Sequence, residues 1–212
     1  MEKMEVIFMP GILFLFVAWG IWIIATFILD KNDPFRFPAA IVSLMLIILH
    51  TKSFAIYSFH IGASSFLLLF SAYWLVYQGT WLKKIYLFFS VMIIMFGYAG
   101  FYLLELYDPV WVLVDRKILL SGGLFMIGWV LYPASLLYRY AAVVIGSLHG
   151  EVFLSVFLSK WKIPYTIGSN EYLDVFALTV SALLTVHAAG RILFAAKRSL
   201  EGKVKGKKQM VH

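Results

Sequence analysis

An all-helical, polytopic membrane bundle of seven spans, with six as the alternative, is what this sequence predicts, and three observations predict it. The 212 residues are 62% hydrophobic and only 14% charged, against about 45–50% and about 25% in soluble domains. The mean hydropathy is +0.88. Apolar runs long enough to cross about 30 Å of hydrocarbon recur along the chain, and basic residues sit between and after them. A net charge of +7 distributed in this way points to a lipid bilayer and excludes nucleic acid as a partner. With no cysteine, disulfides, thiolate metal sites and thiol catalysis are excluded as well.

The first span is predicted over 6–29. Its apolar run is too long for a signal-peptide core of roughly 7–15 residues, and no small-residue cleavage site follows it. The second, 37–51, is the shortest and crosses only if Arg36 and Lys52 both snorkel. The third is predicted over 54–78 and the fourth over 85–106. Between Ile118 and Ser159 the chain carries few charges, and one helix of that length would be about twice the membrane thickness. A hairpin near Tyr138-Arg139-Tyr140 divides it into spans 118–138 and 140–159, with Pro133 kinking the first. The seventh is 173–195. Residues 1–198 therefore form one transmembrane helical domain and 199–212 a basic tail.

Orientation follows from the basic residues. With the tail inside, twelve Lys and Arg lie on the cytoplasmic side and six outside, so the N-terminus is external and the C-terminus cytoplasmic. Lys203, Lys205, Lys207 and Lys208 make the tail a topology signal that also touches anionic lipid. Tyr57, Trp81, Trp111, Tyr138, Tyr140, Trp161, Tyr165 and Tyr172 flank the spans as an interfacial belt would.

Ionisable groups inside a bilayer are costly and are the natural functional candidates. They are His60 in the third span, His149 and Glu151 in the sixth, and His187 with Arg191 in the seventh. Ala142, Gly146 and Gly150 form a small-xxx-small ribbon that lets a neighbouring helix approach closely. A proton relay built on Glu151, His149 and His187 is one reading; a buried polar network that fixes helix packing is the preferred one. Arg191, within two turns of Lys197-Arg198, also fits simple snorkelling. No zinc-protease, phosphate-loop or serine-hydrolase signature is present, so no catalytic, cofactor or metal site is expected.

The stretch from Gly11 through Trp19 to Trp22, with Thr26 to Asp30 and the polar turn Lys31-Asn32-Asp33-Pro34-Phe35-Arg36, resembles the start of the YphA-type small membrane proteins of spore-forming Bacillus relatives. The resemblance implies a plasma-membrane protein with no established enzymatic activity and a link to spore envelope assembly; short loops and the lack of a catalytic signature favour a non-enzymatic role through contacts with membrane protein partners. A proton-coupled carrier using an intramembrane Glu/His site is the alternative.

Overall fold

Gly11, at φ 95°, turns the chain into the first helix, a left-handed backbone that costs glycine little. The computed structural model describes residues 9–209, apart from 57–58, 78, 109–114 and 133–134. Helix α1 (Ile12–Ile23) widens into a π-helical turn, Ile24–Ile28, closed by the Leu29 N–H donating to the Ile24 carbonyl at 3.0 Å. Arg36 meets the loosened end: its guanidinium donates to the carbonyls of Ala25 (3.3 Å) and Thr26 (2.8 Å). Arg36 therefore ties the end of α1 to the start of α2 (Arg36–Leu49) instead of reaching only for lipid.

The chain is mostly helical but not all-helical. Strands β1 (Ser53–Ile56) and β2 (Phe59–Gly62) pair antiparallel, with Ala55 opposite His60. Strand β3 (Thr166–Ile167) joins β2 in parallel, placing His60 opposite Thr166. The expected third span thus begins at Ala63, as α3 (Ala63–Tyr77), nine residues later than its apolar pattern indicated. Its first third is a hairpin whose residues are themselves mostly apolar.

Helices α4 (Trp81–Tyr107), α5 (Arg116–Leu131), α6 (Leu136–Ser159) and α7 (Asn170–Gln209) complete the fold. The expected turn at 138–140 lies instead between α5 and α6. Arg139 is inside the first turns of α6, buried, and donates twice to the Tyr132 carbonyl (2.9 and 2.6 Å). Its guanidinium lies 4.2 Å from the centre of the Trp129 ring, so it fastens the end of α5 to the start of α6. Pro133 falls outside the described residues. The backbone of the basic tail continues α7 to Gln209, while the side chains of Lys203, Lys205, Lys207 and Lys208 lie outside the described residues.

α6 is the centre, packed against α3, α4, α5 and α7. Of its most apolar stretch 72% is buried, against 28% in α4, and a helix so enclosed is apolar all round. Among the described residues, three helices are long and apolar enough to cross a membrane unaided: α4, α6 and Asn170–Phe194 of α7. The 16 residues of α5 rise about 24 Å, and α2 and α3 are shorter still. The seven-span expectation is therefore matched here only as a mostly helical bundle.

The helix ends gather at two poles. At one, Gly11 lies against Asn170 and His50, and Gly62 against Gly168. At the other, Gly79 lies against the Tyr138 hydroxyl, Tyr86 donates to the Leu131 carbonyl at 2.8 Å, and Lys83 stands 5.6 Å from the Tyr138 ring centre.

Candidate functional site

The polar centre of the first pole is Glu151 of α6, 0% exposed. Its Oε1 accepts from the hydroxyls of Tyr98 on α4 (2.5 Å) and Tyr165 (2.7 Å), and its Oε2 from the Gly168 N–H (3.0 Å). The need for an acceptor here is local. Between α6 and α7 the chain folds back into the bundle as irregular backbone, and a buried N–H without a partner costs about 1–3 kcal/mol. Gly168 has φ +65°, and a Cβ on it would collide with the Ser65 side chain. Gly62 is equally close: its Cβ would stand 2.5 Å from the Gly168 carbonyl oxygen. Glu151 thus anchors a loop that is wedged against the start of α3.

Aromatic side chains enclose the carboxylate. Tyr98 lies edge-on to Tyr172 at 6.3 Å and beside Tyr102 at 5.7 Å, and Tyr102 lies edge-on to Tyr165 at 6.3 Å. The Tyr172 and Ser147 hydroxyls share a hydrogen bond of 2.9 Å. Burial, reinforced by the Glu151 charge, pushes the Tyr165 hydroxyl far above its usual range, which keeps it a proton donor to the carboxylate. Tyr165, Tyr172 and Tyr140, expected in an interfacial belt, turn inward.

Beside this cluster Arg116 pairs with Glu171 and, at 3.6 Å, with Glu105, its guanidinium 5.1 Å from the Tyr102 ring centre. A cleft of about 400 Å³ opens here, lined by Tyr102, Glu105, Arg116, Leu158, Ile163 and Tyr165 among others. Among the described residues, Glu105 Oε2 is buried without a hydrogen-bond partner.

A second buried acid, Asp174 of α7, acts as a cap in trans. It accepts from the N–H groups of Gly11 (3.0 Å) and Phe14 (3.2 Å) at the start of α1, and from Lys117 Nζ (2.8 Å). Those are the donors a side-chain cap satisfies within its own helix, and a negative charge there also complements the helix dipole. Asp174, at the start of the predicted seventh span, is 0% exposed.

The residues singled out in the sequence are not brought together. His149 and Glu151 are two apart on one helix and so point about 200° from each other. The Ile145 carbonyl, 2.7 Å from His149 Nδ1, can only accept, so Nδ1 carries a proton, and Nε2 lies 3.4 Å from the Tyr73 hydroxyl. That contact faces α3. His60 lies exposed on β2. His187 stands thirteen residues beyond Asp174, about 20 Å along α7, and with Arg191 lines a groove at the other pole. The small-residue ribbon does face a neighbour. A Cβ on Gly146 would stand 2.6 Å from Ile94, and one on Gly150 2.9 Å from Tyr98, both on α4; Ala142 is fully buried on the same stripe.

Sequence reasoning passed over Tyr98, Tyr102, Tyr165, Arg116, Lys117 and Asp174. One signal was available: Tyr98, Tyr102 and Glu105, spaced four and three apart, form a polar stripe on the largely apolar second half of α4. Among the described residues no group of three His, Asp or Glu could hold a metal ion.

A family model described as YphA-like integral membrane protein matches residues 10–210. The chain is also similar to the uncharacterized protein YphA of Bacillus subtilis (strain 168), with 28% identity over 198 residues that cover 88% of this chain and 94% of that protein. No solved structure matches the chain.

Proposed function

Because this chain belongs to the YphA-like integral membrane protein family, we propose that it is a non-enzymatic membrane protein that works through helix contacts with partner proteins. The observation that supports this reading is the state of Glu151. Its two oxygens receive three donors from fixed positions on α4 and the inter-helix loop, so the acid is engaged in holding the fold. The lipid-facing sides of α4 carry large aromatic residues, among them Phe88 (59% exposed) and Phe96 (53%), which offer a partner helix a contact surface. The setting we propose is envelope assembly in a spore-forming bacterium, with the N-terminus external and the tail cytoplasmic, as the concentration of basic residues at the second pole and in the tail favours.

Photo-crosslinkers at positions 88 and 96 in living cells test the proposal. The expected result is discrete protein adducts that persist in Glu151→Gln. A carrier reading has one observation in its favour, that the cleft reaches Tyr165, which donates to Glu151. No adducts, together with a proton flux in proteoliposomes that disappears in a folded Glu151→Gln protein, would replace the scaffold role with that reading.

A further inference from the structure

The second pole holds a groove that the Glu151 cluster does not involve. It lies between α5 and α7, measures about 440 Å³, and is lined by Trp129, Val186, His187, Gly190, Arg191 and Phe194. His187, Arg191, Phe194 and Arg198, spaced four, three and four apart, share one face of α7. His187 and Arg191 are exposed. Among the described residues neither makes a hydrogen bond or an ion pair, and no acid lines the groove. Gly190 borders open space, since a Cβ there would meet nothing within 4 Å. The Trp129 wall is held in place by the Arg139 guanidinium.

Depth and chemistry together define an occupant. The apolar stretch of α7 ends at Phe194, and Lys197 and Arg198 follow, so Arg191 sits within about one turn of the headgroup level. A guanidinium presents a planar fork of donors that matches two phosphate oxygens. His187, about 6 Å deeper along the axis, has a ring N–H to donate in either tautomer, at the depth of a glycerol ester carbonyl. Trp129, Val186 and Phe194 supply an apolar wall for an acyl chain. Basic pockets between transmembrane helices suit anionic headgroups in this way.

We propose that the α5–α7 groove binds one anionic phospholipid, its phosphate held by Arg191, its ester carbonyl by His187 and its acyl chain along Trp129. This site is independent of the scaffold role and of Glu151.

Native mass spectrometry of the full-length protein, released from detergent containing phosphatidylglycerol, phosphatidylcholine or inorganic phosphate alone, tests the assignment. Wild type should retain one phosphatidylglycerol and neither of the others. Arg191→Gln with His187→Gln should lower retention by about tenfold, the loss expected on removing charge-assisted contacts, and Arg191→Lys should fall between. Both positions are exposed, and an unchanged circular dichroism spectrum confirms folding. Lys83→Gln with Lys84→Gln, which removes two charges at the same pole outside the groove, should retain lipid as wild type does. Any of four results would overturn the site: equal retention by the double groove variant, equal retention of phosphatidylcholine, a matching loss in the Lys83/Lys84 variant, or phosphate alone binding as well. A dimer that Arg191→Gln dissolves would give the groove to a second copy and likewise overturn it.

Discussion

Replacing Gly146 with alanine adds a single methyl group at the most crowded point of the α4–α6 contact. That methyl would stand 2.6 Å from both Cβ and Cγ2 of Ile94, and 3.3 Å from the Val91 carbonyl oxygen. Carbon atoms rest about 3.5–4.0 Å apart, and no rotamer change moves Ile94 Cβ, so the two helices must separate by about 1 Å. Overpacking of this kind costs about 1–3 kcal/mol. Ile94 is fully buried and has little room to yield, so a loss of about 2 kcal/mol is expected. Gly100 and Gly20 provide the comparison, because a Cβ at either meets nothing within 4 Å. Alanine there should be neutral or slightly stabilising, since glycine is about 1 kcal/mol worse than alanine within a helix. Unfolding midpoints of the purified variants in one detergent give the ranking. If Gly146→Ala is as stable as Gly100→Ala, α6 does not pack on α4 through this ribbon.

Asp174→Asn should destabilise by about 2 kcal/mol, because an amide oxygen replaces two acceptors at the start of α1 and Lys117 loses its anion; denaturation with SDS would show it, and wild-type stability would remove the cap in trans. Gly168→Ala should be worse than alanine at any open glycine, since φ +65° and the Ser65 contact add backbone strain of about 1–2 kcal/mol to a collision; equal stability would mean the loop is not wedged against α3. Single cysteines at positions 84 and 160, introduced into a cysteine-free chain, should be respectively closed and open to an impermeant thiol reagent in intact cells; labelling at 84 would reverse the proposed orientation.

Much of the architecture is legible in the sequence, and the gaps have physical causes. The helical membrane class and helices α4, α6 and α7 follow from apolar run length, a signal with no strong competitor in a bilayer protein. The β1–β2 hairpin was not legible, because Ser53 to Gly62 is mostly apolar and runs straight into the helix after it, and short apolar runs do not reveal their period. The α5–α6 break is hard to place because Arg139 has the polarity of a loop residue while Pro133 has the helix-ending tendency; in the fold Arg139 finds the Tyr132 carbonyl and the Trp129 ring and needs no loop. Glu151 stood out as a costly intramembrane acid, yet its partners come from Tyr98, 53 positions away, and from a loop glycine. Asp174 and Lys117 are 57 positions apart, too far for any spacing rule to pair them.

The central claim is that Glu151 serves the loop before α7. Hydrogen exchange across residues 163–169, measured on the full protein in lipid nanodiscs, tests it most directly. Glu151→Leu leaves the Gly168 N–H and two tyrosine hydroxyls without an acceptor, a cost of about 1–3 kcal/mol each, so exchange in this segment should accelerate by at least about tenfold while the amides of α4 and α6 stay protected. In Glu151→Gln the amide oxygen can still accept from Gly168, and most of the protection should remain. Unchanged exchange at 163–169 in Glu151→Leu would contradict the account.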